Sequence, residues 1–370
     1  MKKTTTAPTP RSIRLWRLAS VTWAVLVVPI AVNADFRIAG YLPDYRFDSS
    51  LDLNASAALL DDLYLFSLSP QTQLGPAMFQ ACCLQEKHYT AAAQAVASTD
   101  GRLRAWVTVG GGGRSHKFTD APSAMINALR DLIIAKPYIR GVDFDCETFY
   151  AHQEYERYEK LLTSAATLLH SNFPDVQVSV ALHAGQTMPT SVFSAVDRVN
   201  LMTYDMPGAT YHADYRKTVE AVENLVDTLG CPAAKVFLGI PAYGKHKHNP
   251  ADVKTYHEVV TMTDDDTADL HRRYEFDGYL LDSPAAVQAK IRLAQKKGLG
   301  GVFFWELGQD YVGPRGGPGT LLKAAAKQVG KAVPESSADT SGDQSTTNNG
   351  DESTDPATDG AQEEEVRDEL

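Results

Sequence analysis

A chain of 370 residues, 44% of them hydrophobic, can form one large domain or two ordinary ones. Its 35 basic and 46 acidic residues leave a formal charge of −11, and no basic patch points to a nucleic-acid partner. No metal-ligand spacing or phosphate-binding loop occurs, so the sequence asks for no metal and no cofactor.

The N-terminal segment carries Lys2, Lys3, Arg11, Arg14 and Arg17 without an acid. An apolar run from Ala19 to Val32 follows, and small residues stand at Val32-Asn33-Ala34. This layout predicts a secretory signal peptide over residues 1–34, cleaved after Ala34. The apolar run falls short of the ~20 residues a membrane span needs, so no stable insertion is expected after cleavage.

From Asp35 to about Lys331, strand-like apolar runs alternate with longer amphipathic ones. The strands are expected at Phe36–Tyr41, Leu63–Leu68, Leu103–Val109, Gly141–Asp145, Val176–Leu182, Val199–Tyr204, Val236–Pro241 and Gly301–Trp305. Helical patterns fall between them, at Ala121–Ala135, Tyr155–Leu169, Thr218–Leu229 and Pro284–Lys297. Strand–helix alternation predicts a parallel sheet, and eight such units over residues 35–332 suit a closed (β/α)8 TIM barrel. The rhythm breaks at Tyr243–Ser283, an insertion after the seventh strand, with Tyr256–Met262 and Tyr274–Leu280 as expected short strands. Asn54-Ala55-Ser56 is a glycosylation sequon. Cys146 is expected to be buried. A bond from Cys82 or Cys83 to Cys231 is open, as is the pairing in general. His212, His246 and His248 are read as solvated loop residues.

The fourth strand is the unusual one. In "GVDFDCETFY" (141–150), Asp143, Asp145 and Glu147 occupy alternate positions, with Val142, Phe144 and Cys146 between them. Alternate side chains of a strand share one face, which brings carboxylates to a spacing of roughly 6.5–7 Å. In a barrel this puts Asp143 deepest, Asp145 near the rim and Glu147 at the mouth, where such enzymes build their sites. Crowded like charges raise at least one pKa, which is what general acid chemistry needs.

Beyond residue 333 the chain holds twelve acids against one base, Arg367, and no aromatic residue. Such a stretch cannot bury enough apolar surface to order, so residues 333–370 are expected to be a disordered acidic tail. It ends in Arg367, Asp368, Glu369 and Leu370, close to the tetrapeptide bound by the KDEL-type retrieval receptor. Together the two ends predict a protein of the endoplasmic reticulum lumen.

Several stretches resemble glycoside hydrolase family 18, which includes chitinases and endo-β-N-acetylglucosaminidases. "GVDFDCE" resembles its acidic strand motif, with Arg140 in place of the first Asp. "AGYLPDY" (39–45), "LYLFSLSP" (63–70), "VTVGGGG" (107–113, with Thr108 for Ser), "NLMTYDM" (200–206), "LGIPAYG" (238–244) and "GGVFFWELGQD" (300–310) follow in the family's order. The resemblance implies roles residue by residue. Glu147 would be the acid/base, Asp145 the residue that orients the substrate's 2-acetamido group, and Asp143 its proton-sharing partner. Tyr204 would hydrogen-bond the acetamido carbonyl, and Asp205 would line the same subsite. Trp305 would floor it, with Tyr41 and Phe66 completing the wall, Gly110 and Gly111 at the bottom, and Met202 and Ala181 facing the acetamido pocket. The family uses the substrate's own acetamide as nucleophile, with retention.

The implied function is hydrolysis of β-1,4-linked N-acetylglucosamine in chitin-type oligosaccharides. Two alternatives stand beside it: an endo-β-N-acetylglucosaminidase cutting the chitobiose core of N-glycans, and a non-catalytic chitooligosaccharide-binding protein. The last usually lacks the acid Glu, which is present here. His183 stands where the family usually has a small residue, and by parity Arg140 should point away from the barrel interior.

Overall fold

The computed structural model describes residues 1, 36–47, 51–70, 83–115, 121–147, 152–209, 211–262, 271–311 and 319–333. The expected leader apart from Met1, Cys82, and the acidic tail beyond residue 333 with its retrieval tetrapeptide lie outside the described residues. Contacts divide the chain into Met1–Ala34 and Asp35–Leu370, and every strand and helix named below belongs to the second unit.

Eight parallel strands close into a barrel: β1 (Arg37–Pro43), β2 (Asp62–Leu68), β3 (Arg104–Gly110), β4 (Ile139–Asp145), β5 (Gln177–His183), β6 (Arg198–Met202), β7 (Val236–Pro241) and, after an insertion, β12 (Gly301–Trp305). The sequence places every one of these to within two residues. Around them run α1 (Leu53–Leu59), α2 (Glu86–Ala97), α3 (Pro122–Ala135), α4 (His152–Asn172), α5 (Thr190–Ala195), α6 (Tyr215–Glu223), α8 (Pro284–Lys296) and α9 (Thr320–Gln328), with α7 (Tyr256–Thr261) inside the insertion. Local chemistry sets several helix starts. Pro122 opens α3 and Pro284 opens α8, where a missing N–H costs nothing, and Ser283 caps the Ala286 N–H at 3.2 Å.

The barrel interior is filled rather than hollow. At its base the Arg198 guanidinium lies between Trp106 (4.4 Å) and Phe237 (4.5 Å) and donates to Asp62 at 2.7 Å. Arg37 and the Trp106 indole also donate to Asp62, at 2.7 and 2.8 Å. Burial alone would raise the Asp62 pKa, but the two guanidinium groups outweigh it and hold it at about 2. Gly141 makes room for this layer, since a Cβ there would lie 2.1 Å from the Trp106 ring. Above it Tyr41, Tyr64, Asp143, Asn200 and Phe303 fill the middle. Chemistry is thereby confined to the end where the strands finish.

One expectation for the insertion needs correction. Tyr256–Met262 is not a strand; its first six residues form α7. Thr255 accepts from the Glu258 N–H at 3.0 Å while the Glu258 carboxylate accepts from the Thr255 N–H at 2.8 Å, a reciprocal cap that outweighs the β-rich composition. Tyr274–Leu280 contains two short strands, β10 (Glu275–Phe276) and β11 (Tyr279–Leu280), joined by a turn. They pair antiparallel with β8 (Tyr243–His246) and β9 (Asn249–Thr255) in the order β10-β11-β8-β9.

Cys146 is buried, as its face predicts, and forms no disulfide. Cys231 also forms none and Cys83 is disulfide-bonded, so the bond to Cys231 is not made. His212 is buried, contrary to the expectation of a solvated loop residue, whereas His248 is exposed.

Candidate active site

The alternation on β4 produces the expected depth series. Asp143 is fully buried, Asp145 is 3% exposed, and the Glu147 side chain, just past the end of the strand, is 27% exposed. Arg140 is exposed, on the outer side.

Asp143 is held from four directions. Tyr41 (2.9 Å) and Thr108 (3.1 Å) donate to Oδ2, and Ser179 (2.5 Å) and Asn200 (3.3 Å) donate to Oδ1. Burial still raises its pKa, against the pull of these bonds. Asp145 is raised further, by burial first and then by the charges of Glu147 and Asp143. Its Oδ1 is buried without a hydrogen-bond partner among the described residues.

Glu147 is placed by the loop after β3. Its N–H donates to Ser115 Oγ at 3.2 Å, and Ser115 Oγ lies 2.9 Å from Gly111 O and 3.2 Å from Asp145 O. Gly110 and Gly111 have φ of 98° and 97°, and a Cβ on Gly111 would lie 2.1 Å from Phe66. These two glycines therefore shape the loop from beneath.

A cleft of about 290 Å³ opens over these groups, lined among others by Asp145, Glu147, Met202, Tyr204, Asp205, Phe66 and Trp305. Phe66 meets Trp305 edge to face at 4.7 Å. Tyr204 is nearly buried, its hydroxyl makes no hydrogen bond among the described residues, and burial pushes its pKa well up. Asp205, at φ 53°, accepts from Tyr243 (2.8 Å) and Lys245 (2.6 Å). His212 Nδ1 accepts from the Asp205 backbone N–H at 3.4 Å and lies 3.2 Å from Asp205 Oδ1. Burial would raise the Asp205 pKa, but His212, Lys245 and Tyr243 hold it well below the usual range.

Tyr41, Gly110, Gly111 and Ala181 do not line the cleft. Tyr41 lies under Trp305, at 5.6 Å, as a donor to Asp143 rather than as part of the wall. Ala181 pairs in register with Asp145 and is 3% exposed, beneath the opening. Conversely, Tyr45, Gly112, Arg114, His183 and Tyr243 line the cleft. Of these His183 carried a signal, as a large residue at an expected small position; its Nε2 lies 3.6 Å from Glu147 Oε2. Tyr243 lies within the matched stretch "LGIPAYG", and Arg114 follows the glycine run, but their roles come from tertiary contacts. Among the described residues no cluster of His, Cys, Asp and Glu is disposed to hold a metal.

The sequence profile of glycosyl hydrolases family 18 matches residues 37–310. The chain belongs to this family. Endochitinase 1 of Metarhizium robertsii is 27% identical over 198 residues, which are 42% of this chain and 46% of that protein, so the match spans less than half the length of that relative. Among solved structures, a mutant family 18 chitinase from Cycas revoluta in complex with (GlcNAc)4 superposes with a TM-score of 0.66 at 19% identity, covering 80% of this chain and all of that one. The family 18 chitinase of Flavobacterium johnsoniae gives 0.65 at 19%, covering 80% and 94%. At such identities the likeness is one of fold.

Proposed function

We propose that this family 18 protein hydrolyses β-1,4-linked N-acetylglucosamine with retention, using the substrate's own acetamide as nucleophile. The observation that carries the reading is a pair of polar groups in the cleft, the buried Asp145 Oδ1 and the Tyr204 hydroxyl, neither of which has a hydrogen-bond partner among the described residues. A buried acceptor without a donor is costly unless a ligand satisfies it. An acetamido group has the matching pair, an N–H for the Asp145 carboxylate and a carbonyl for the Tyr204 O–H.

Glu147, partly exposed at the mouth, protonates the glycosidic oxygen as the bond to C1 breaks. The acetamido oxygen attacks C1 from the opposite face and closes an oxazolinium ring. Glu147, now a carboxylate, takes a proton from the water that reopens the ring, so C1 is inverted twice. Asp145 and Tyr204 gain rate chiefly by holding the nucleophile in place. Trp305 and Phe66 offer the apolar floor under the sugar.

The shortness of the β8–β11 insertion favours short or branched substrates over crystalline polymer. The leader and the retrieval tetrapeptide favour the endoplasmic reticulum lumen, where the chitobiose core of N-glycans is a second candidate substrate. Deleting Arg367–Leu370 is expected to release the chain into the medium; unchanged retention would remove the retrieval role.

The test sets a chitooligosaccharide ladder and a high-mannose glycoprotein side by side, with wild type and Glu147→Gln. Cleavage of the ladder by wild type alone is the expected result. Cleavage of the glycoprotein only would move the substrate to N-glycans, and equal activity of both proteins would remove Glu147 as the acid.

A further inference from the structure

The sequon Asn54-Ala55-Ser56 falls at the start of α1, where the fold treats its two ends in opposite ways. Asn54 is exposed, the second residue of the helix after the Asp52 cap, whose carboxylate accepts from the Ala55 N–H at 3.0 Å. Ser56 is fully buried, and its Oγ has no hydrogen-bond partner among the described residues. A buried hydroxyl left unpaired is destabilising, so the fold would be served as well or better by alanine. Its use therefore lies outside the folded state.

We infer that Asn54 carries an N-linked glycan, attached before α1 folds, and that Ser56 serves that attachment. The inference rests on the secretory reading of the leader. In the transfer, a bond forms between Asn54 Nδ2 and C1 of the first N-acetylglucosamine of a lipid-diphosphate-linked oligosaccharide. The bond from C1 to the diphosphate oxygen breaks, the lipid diphosphate departs, and the amide loses a proton. Attachment requires the hydroxyl two residues on, which the finished fold hides, so modification precedes folding. After folding the exposed Asn54 position leaves the glycan in solvent. α1 begins at the end of the barrel where β1 finishes, which is also the end that bears the cleft. The protein thus displays, on its active face, a GlcNAc-β-1,4-GlcNAc linkage of the kind its own site would cut.

The experiment expresses the full chain in eukaryotic cells and analyses the Asn54 peptide by mass spectrometry, in wild type, Ser56→Ala, Asn54→Gln and Glu147→Gln. N-terminal sequencing reads leader removal independently. The expected result is N-acetylhexosamine on Asn54 in wild type and Glu147→Gln, and an unmodified peptide in Ser56→Ala, with that variant as thermally stable as wild type. A single N-acetylglucosamine in wild type beside a full glycan in Glu147→Gln also supports attachment and adds cleavage of the chitobiose core. Unmodified Asn54 in a chain that has lost its leader overturns the inference and leaves the secretory reading intact. An uncleaved leader with unmodified Asn54 overturns both. Should Ser56→Ala fail to accumulate, Asn54→Gln at its exposed position reads the same loss.

Discussion

Asp143 and Asp145 are two residues apart on one strand and are prepared for different tasks. Asp143 accepts four hydrogen bonds and has no capacity left for a ligand. Asp145 has an acceptor without a partner among the described residues and lines the cleft. Period two on β4 was enough to place both, and Glu147, from sequence. The donors to Asp143 were not legible in the same way: Tyr41, Thr108, Ser179 and Asn200 come from four other strands, and only barrel closure brings them together. This is why Tyr41 read as sugar wall and is instead a buried donor. His212 was misread for a related cause, since its partner Asp205 gives no sign in sequence of turning back through φ 53°. Tyr204→Phe removes only the hydroxyl that the proposed mechanism assigns to the acetamide. A fall in kcat of ~10²-fold is expected, with KM changed much less, as for loss of one preorganised donor. Steady-state kinetics on a chitooligosaccharide checks it; an unchanged kcat would detach Tyr204 from the chemistry.

At the scale of elements, the barrel strands and the place of the insertion announced themselves in the sequence, and the helix inside the insertion did not. Helix α7 was missed although Thr255-x-x-Glu258 is a capping box, because Tyr256, Val259 and Val260 are β-formers by type. Beside the insertion a buried ion pair joins two elements near the site. Lys290 on α8 bonds Asp282 at 2.6 Å and the Ala213 carbonyl at 2.8 Å, and Tyr211 donates to Asp282 at 2.6 Å. These contacts tie the end of the insertion to the loop that carries His212. Both charges are almost wholly buried, so removing one leaves the other uncompensated. Lys290→Met is expected to cost about 3–5 kcal/mol in urea unfolding. Lys290→Met combined with Asp282→Leu should recover part of that loss, because no unpaired charge remains. A single variant as stable as wild type would contradict the burial of the pair.

Across the whole molecule, the titrating groups give stability a sign with pH. Burial pushes Glu306 up to about 7, against Arg46 at 2.9 Å and the Gly308 N–H, and pushes Asp310 up to about 6, against three backbone N–H donors. Their ordinary values are 4.5 and 3.8. Between the ordinary and the raised value the unfolded chain ionises while the native one keeps its proton. Stability from these sites is therefore complete below about pH 4 and is lost as pH rises through 6 to 7, on the order of a few kcal/mol. Asp62 acts with the opposite sign, since its value of about 2 means stability is lost as pH falls below the ordinary carboxylate range. Thermal unfolding is expected to show greater stability near pH 5 than near pH 8, with a shallower slope in Glu306→Gln. The same slope in that variant would show that Glu306 is not a source of the pH dependence.

The barrel, its closing order and the acid series all bear on one proposed chemical claim, that cleavage passes through two inversions at C1 rather than a single displacement by water. Proton NMR of the product anomer in the first minutes of chitooligosaccharide cleavage tests this most directly. The β-anomer is expected first, with mutarotation following. The α-anomer as first product would mean a single displacement by water, and would contradict the geometry assigned to Asp145, Tyr204 and Glu147.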